Sequence, residues 1–399
     1  MKRTRFSWSV KFLALCSMLL ISAFCFSQTV ALSAPSGPPT TETLVSGSGF
    51  GPYSVIDILF DATTLAVANA DTSGSFSSVS LLVPASALPG HHLVKAVPRD
   101  GGTSAQAPFT VRTNWPMYHF DLNHSGYNKY ENLLSPATVS GLQVKWSFHL
   151  DGDACSGPTV VDGVVYFASW DANLYAVNAD TGVKLWSYYT GQLMCSSPAV
   201  VDGVVYVGLY NTNFIAVNAK TGKKKWQSAY TLGVASSPAV VNGLVYFSAG
   251  DGSIYALDAN TGTTVWSYPT GALYLWSSPA VVDGVVYVGS HDCNLYALNA
   301  STGAKVWSYA TGDIAFDSPT VINGVVYING PANLYALNAT TGALLWSYAM
   351  AGTGGAVPAV TDGVVYVGSA DGNVYALDAT TSALKWKQAV GSAYLVTVA

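Results

Sequence analysis

The side chains suited to chemistry are few and scattered. His119 and His124 lie five residues apart with Asp121 between them, a grouping that could hold a metal ion or share acid–base work. The same His/Asn/Tyr-rich composition also suits a joining segment that caps a sheet edge. His91 and His92 follow Pro89-Gly90, where a solvated turn accounts for them. Cys155 and Cys195 each precede a proline by three residues, and a disulfide between them requires Cα atoms within about 7 Å. No Cys-x-x-Cys or Cys/His cluster offers zinc or haem ligands. Lys223, Lys224 and Lys225 are too short a basic run for a nucleic-acid footprint and suit an exposed strand edge. The remaining candidates are Trp170, Tyr210, Tyr274, Trp276 and Phe316, with His291 and Asp317 beside them. Aromatic side chains of this kind anchor protein interfaces, or stack on sugar rings.

Only 10% of the chain is charged and the formal net charge is −5, against about 25% charged residues in an ordinary soluble domain. This excludes a basic nucleic-acid binder, a highly charged disordered chain and an acidic tail. Lys2, Arg3, Arg5 and Lys11 lead into the apolar run Phe12–Phe26, and no acidic residue occurs before Glu42. A basic start followed by about 15 mostly apolar residues reads as a secretory signal peptide, short for a membrane span. Residues 1–33 are assigned to it, with Ala31 and Ser33 at the small-residue positions and Ser27 as a second cleavage candidate. Leu15 and Phe24, preceding Cys16 and Cys25, argue against a lipid anchor. The expected location is extracytoplasmic: periplasmic, cell-surface or secreted, with no membrane span after cleavage. Cys155, Cys195 and Cys293 then remain, an odd number that leaves one thiol unpaired in a monomer.

The elements that position these residues come from a repeat of about 40 residues. Pro158, Pro198, Pro238, Pro279, Pro319 and Pro358 keep this step, as do Trp146, Trp186, Trp226, Trp266, Trp307, Trp346 and Trp386. Asp162-Gly163, Asp202-Gly203, Asn242-Gly243, Asp283-Gly284, Asn323-Gly324 and Asp362-Gly363 lie between Val/Ile/Leu runs. Asx-Gly pairs supply the positive φ angles of tight hairpin turns. Short strands at this spacing, without helical periodicity, predict an all-β propeller of four-stranded blades over residues 141–399. Trp146 belongs to an outer strand ahead of the first complete unit, and Ser392–Ala399 resembles the start of another inner strand. Seven blades with a composite last one are therefore favoured, with six possible. Residues 114–140 form a joining segment, and residues 34–113 suit a small β-sandwich.

Two resemblances follow from particular residues. Ser46-Gly47-Ser48-Gly49-Phe50-Gly51, Gly74-Ser75-Phe76 and Pro89-Gly90-His91-His92 resemble bacterial immunoglobulin-like domains of the IPT/TIG type. Ala297-Leu-Asn299-Ala-Ser-Thr302-Gly303-Ala-Lys-Val-Trp307 resembles the tryptophan-docking motif of pyrroloquinoline quinone (PQQ) repeat proteins. It recurs from Ala176, Ala216, Ala256, Ala336 and Ala376, with Ser382 replacing glycine in the last copy. The resemblance implies that the seven repeat tryptophans pack between blades. It also implies a PQQ-dependent dehydrogenase or a quinone binder, but the family's calcium-binding Glu, quinone-side Arg and adjacent cysteines have no counterpart. No Glu follows Glu131, no Arg follows Arg112, and no Cys-Cys occurs. No cofactor, metal or catalytic residue is therefore expected, PQQ with calcium being the alternative.

In a four-stranded up-and-down blade the first and third turns lie on one face of the disc, the second turn and the blade-to-blade connection on the other. The nearly invariant Asx-Gly and Thr-Gly turns therefore share a face, and sequence variation collects on the opposite one. The expected function is an exported, non-enzymatic scaffold binding a protein or glycan of the cell envelope through that variable face. The PQQ-like propellers of outer-membrane β-barrel assembly, which this repeat resembles, imply such a role. Carbohydrate or cell-wall binding through the aromatic residues is a third reading.

Overall fold

The computed structural model describes residues 27–135, 137–312, 317–330, 332–352 and 356–391. The chain divides into two compact units, Met1–Val111 and Arg112–Ala399. Among the described residues the regular structure is all strand apart from one short 3₁₀ turn, Val139–Gly141, and no helix is long and apolar enough to cross a membrane.

The first unit is a two-sheet sandwich. Thr29–Leu32, Glu42–Ser48 and Phe76–Leu82 form one sheet; Ser36–Gly37, Ala105–Val111, Gly90–Pro98, Val55–Phe60 and Thr63–Asn69 form the other. Strand alternation puts Ile56, Ile58 and Phe60 inward, where they meet Val45, Leu81, Val94 and Phe109 in one core. His91 and His92 belong to the strand Gly90–Pro98 rather than to a turn. His92 is held by the Asp61 carboxylate at 2.7 Å and the Leu88 carbonyl at 2.8 Å, and stacks on Phe60.

Thr29–Leu32 bears on where a leader can end. Its residues pair antiparallel with Val45–Ser48, and Val30 and Leu32 pack on the core. A cut after Ser33 removes this strand; a cut after Ser27 leaves it in place. A chain beginning at Ala34 should therefore be less stable than one beginning at Gln28 by about 2–3 kcal/mol, the worth of two partly buried aliphatic side chains. Thermal melting of the two chains checks this.

The second unit contains six four-stranded antiparallel sheets among the described residues, each in sequential strand order. Blade 1 consists of Thr159–Val161, Val164–Ala168, Asn173–Asn178 and Lys184–Tyr189, from innermost to outermost. Blades 2 to 6 span 199–229, 239–269, 280–310, 320–349 and 359–389. The first turn of each blade has positive φ at both central residues, as at Asp283 (49°) and Gly284 (75°), which matches the twist of the flanking strands. The propeller expectation holds. Whether residues 392–399 begin a further inner strand lies outside the described residues.

One clasp joins neighbouring blades. The indole Nε1 of Trp186, Trp226, Trp266, Trp307 and Trp346 donates to the carbonyl of Ala219, Ala259, Ala300, Ala339 and Ala379 in the next blade, at 2.8–3.0 Å. Tyr166, Tyr206, Tyr246, Tyr287 and Tyr327 donate to the same carbonyls. A register shift one step before each tryptophan pair, as between Ala216 and Val217, aims the ring outward along the blade. Trp146 makes the same bond to Ala179, from an extended segment outside any strand. Trp386 is 46% exposed, where Trp226 and Trp266 are 8% exposed.

The ring of each docked indole lies over the glycine of the next Thr-Gly turn. At Gly303 (φ 73°) a Cβ would come within 2.7 Å of Trp266. Ser382 takes the equivalent place in blade 6 at φ 60°, a backbone region that disfavours a side chain. Gly303→Ala should cost about 1–3 kcal/mol, and Ser382→Gly should stabilise by about 1 kcal/mol. Urea unfolding of both variants tests the pair, and equal midpoints would contradict it.

Candidate functional site

The central channel is filled by the joining segment. The middle residue of each innermost strand leaves its backbone groups facing the axis, and residues 115–124 satisfy several of them. Trp115 and Val160 exchange backbone hydrogen bonds at 2.7 and 2.9 Å. Val200 N donates to the Pro116 carbonyl, Val281 N to Leu122 and Val321 N to Asn123, at 2.8–2.9 Å. Asp121 does not face a reaction site: its Oδ1 accepts the backbone N–H groups of Asn123 and Ser125 and shapes the turn. His124 is 2% exposed and its Nδ1 lies 2.9 Å from the Pro319 carbonyl; His119 is 8% exposed. Burial pushes His119 down to about 4; burial, then the neighbouring His119, takes His124 to about 3. No group of three His, Cys, Asp or Glu capable of holding a metal occurs among the described residues. The segment caps strand edges.

Both histidines are neutral in the fold at neutral pH, while an unfolded imidazole titrates near 6.5. Below that pH the unfolded chain binds more protons, so stability is complete above 6.5 and falls as pH drops toward 4. The slope approaches about 1.4 kcal/mol per pH unit for each histidine. Tryptophan fluorescence reports this unit alone, since every described tryptophan lies in it. Urea titrations at descending pH should show the slope, and His119→Gln should shrink it; an unchanged slope would contradict the assignment.

The connections between blades form the wall above this plug. Those before Pro198, Pro238 and Pro279 carry two serines, and those before Pro158 and Pro319 carry one. Ser236 Oγ accepts from Ser248 N within its own blade, and Ser277 Oγ from Gly289 N. The next serine reaches across: Gly157 N, Ser197 N, Ser237 N and Ser278 N donate to the Oγ of Ser197, Ser237, Ser278 and Ser318, at 2.8–3.0 Å. This ladder holds adjacent connections in register around the axis and surrounds a cavity of about 700 Å³. Trp115, Tyr118 and His119 contribute to its lining, with Cys155, Cys195, Trp276 and Asp317 at the connections. A second cavity, of about 350 Å³, opens beside it, lined by Trp170, Leu193, Cys195, Tyr210, Ala235 and Trp276.

The structure thus brings Trp170, Tyr210 and Trp276 together, each between 42% and 47% exposed. Tyr274 is 53% exposed on the same connection as Trp276 but lines neither cavity. His291 packs edge-on against the Trp276 ring at 5.5 Å, and burial lowers its pKa. Asp317 lines the central cavity. Phe316 lies outside the described residues. Sequence reasoning missed Leu193 and Ala235, the plug formed by residues 115–124, and the cross-blade role of the serines. The Ser-Ser-Pro that recurs before the inner strands of blades 2, 3 and 4 was the available signal for the last of these.

The loop face carries aspartates, while the opposite face carries both signs: Asp162, Asp202, Asp283 and Asp362 sit in its first turns, and Asp180, Asp258 and Asp378 at or beside its third turns. Asp151, Asp153, Asp171, Asp251, Asp292, Asp317 and Asp371 all fall on second turns or connections. Lys184, Lys220, Lys223, Lys224, Lys225, Lys305 and Lys385 fall at third turns or at the start of outer strands, toward the opposite face. Lys387, in the middle of the last outer strand, reaches Asp371 at 3.5 Å and the Tyr375 hydroxyl at 2.9 Å. The second-turn carboxylates also serve structure: Asp171 and Asp251 accept the hydroxyls of Tyr175 and Tyr255 at 2.7 Å, which brace the turns.

PQQ is a polycarboxylate held with calcium, so its site needs cations and several oxygen ligands. Among the described residues the central cavity offers one carboxylate, Asp317, and no Lys or Arg. These residues do not fit the group.

A family model described as outer membrane protein assembly factor BamB matches residues 137–197, 190–315 and 310–398. The chain belongs to this family. Its matched span coincides with the propeller unit. No curated protein matches the sequence. Among solved structures, BamB from Moraxella catarrhalis is similar at 21% identity, covering 62% of this chain and 80% of that one with a TM-score of 0.56. The computationally designed Ika8 protein is similar at 14% identity, covering 87% of this chain and 91% of that one with a TM-score of 0.55. A europium-containing methanol dehydrogenase superposes at a TM-score of 0.46 with 16% identity, over 70% of this chain and 86% of that one. At these identities the structures speak to the fold alone.

Proposed function

We propose that this chain is an exported, non-enzymatic scaffold that captures a polypeptide partner on its loop face during envelope assembly. The observation that carries the reading is the composition of that face: half-exposed aromatic residues around two cavities, with Asp317 in the central one and further aspartates on the second turns. Membership of the BamB family supports an assembly role, and the basic start followed by an apolar run supports export. Aromatic anchors in a concave patch supply binding energy, while the aspartates select a partner with basic residues. Such a partner presents an apolar segment flanked by Lys or Arg.

Two measurements test this reading. Trp170→Ala, Tyr274→Ala and Trp276→Ala combined should abolish capture of envelope proteins, and melting should shift by no more than a few degrees because all three side chains are about half exposed. A large loss of stability would show instead that these rings hold the blades together. Titration with PQQ plus calcium, followed by dye-reduction assays with alcohols and sugars, should give neither saturable binding nor turnover. Either response would overturn the scaffold reading.

A further inference from the structure

Cys155 and Cys195 occupy equivalent places, three residues before the prolines that open blades 1 and 2. Two residues further along both connections, Gly157 N bonds Ser197 Oγ at 2.9 Å, so the two strips of chain run side by side. Both cysteines line the central cavity, and no disulfide joins them in this structure. The Cys195 side chain is near enough to Cys155 to raise its thiol pKa, and the Trp170 indole donates to Cys195 Sγ at 2.9 Å. Cys155 is exposed and open to a reagent in solvent. Cys293 stands apart, in the second turn of blade 4.

We propose that Cys155 and Cys195 are a thiol–disulfide pair, oxidised by exchange with a small-molecule or protein disulfide, and that the bond locks the cavity rim between blades 1 and 2. One cysteine thiolate attacks a sulfur of the oxidant and expels the first thiolate. The second cysteine gives up its proton, attacks the mixed disulfide at the protein sulfur and expels the other thiolate. One S–S bond breaks in the oxidant and one forms in the protein. Two electrons pass to the oxidant, and the two cysteine protons end on the thiols released. Loss of solvation and the adjacent Cys195 sulfur push the Cys155 thiol up to about 12, so exchange is slow at neutral pH and accelerates as pH rises.

The bond has a structural consequence because Cys195 also lines the aromatic cavity and holds the Trp170 indole. Pairing draws its sulfur toward blade 1 and changes the surroundings of Trp170. It also closes a loop around the whole of blade 1, which restricts the unfolded chain.

Oxidised glutathione serves as the probe on the reduced full-length protein. Peptide mapping without reductant should find the Cys155 and Cys195 peptides joined, two hydrogens lighter than the separate thiols, with Cys293 still open to alkylation. Cys155→Ser and Cys195→Ser should each abolish the joined peptide and leave one glutathione on the remaining thiol; Cys293→Ser should keep it. Oxidation should raise Tm by about 5–10 °C in the wild type and not in Cys155→Ser. The accompanying change in tryptophan emission should vanish in Trp170→Phe. Glutathione on both cysteines without a joined peptide, or a bond from either to Cys293, would overturn the proposal.

Discussion

Everything in the propeller depends on one repeated hydrogen-bonding arrangement, the alanine carbonyl that receives an indole N–H and a phenol O–H from the preceding blade. A four-stranded sheet has two outward faces and cannot bury both by itself. The clasp places a large aromatic ring over the neighbour's Thr-Gly turn, buries it there, and satisfies its one polar atom. Each blade from 1 to 5 is thereby fixed against the next at its outer edge, while the serine ladder joins blades 1 to 5 at the inner edge. Between these two seams lie the apolar clusters, each with residues from two adjacent blades, such as Tyr246 with Val286 and Val288.

Fixing both edges leaves the loop face free to vary. The Asx-Gly and Thr-Gly turns carry backbone constraints that few residues meet, so their face is uniform. Second turns and connections carry fewer, and only there do Trp, Tyr, His and Cys replace small residues. The low charge of the chain has a related origin. Strands packed between neighbouring blades tolerate few ionised groups, so charge is confined to turns and outer strands, and the two faces sort it differently. The second turns and connections carry aspartates, and the other face carries aspartates and lysines together.

The contents of the channel follow from the same packing. A propeller centre suits a polyanionic cofactor only if cations and oxygen ligands project into it. Here the centre is occupied by chain: residues 115–124 spend their backbone groups on inner-strand edges and bury two neutral histidines.

The local elements were legible in the sequence because their causes are local. Asp-Gly and Asn-Gly set positive φ within two residues, and alternating Val and Tyr set strands. The step of about 40 residues repeats these signals until a propeller is the one economical arrangement. The likeness of the chain to PQQ repeats implied docking for seven tryptophans; Trp146 to Trp346 bond an alanine carbonyl of the following repeat, and Trp386 is 46% exposed. What the tertiary structure alone decided is which distant residues meet. Trp170, Tyr210 and Trp276 come from three blades and share a cavity because the blades are arranged around an axis, a radial relation that no periodicity encodes. The path of residues 115–124 through the channel was illegible for the same reason: its partners are unpaired edges that exist only once the inner strands surround a centre. Short-range propensity determined the blades, and the geometry of their arrangement determined the site.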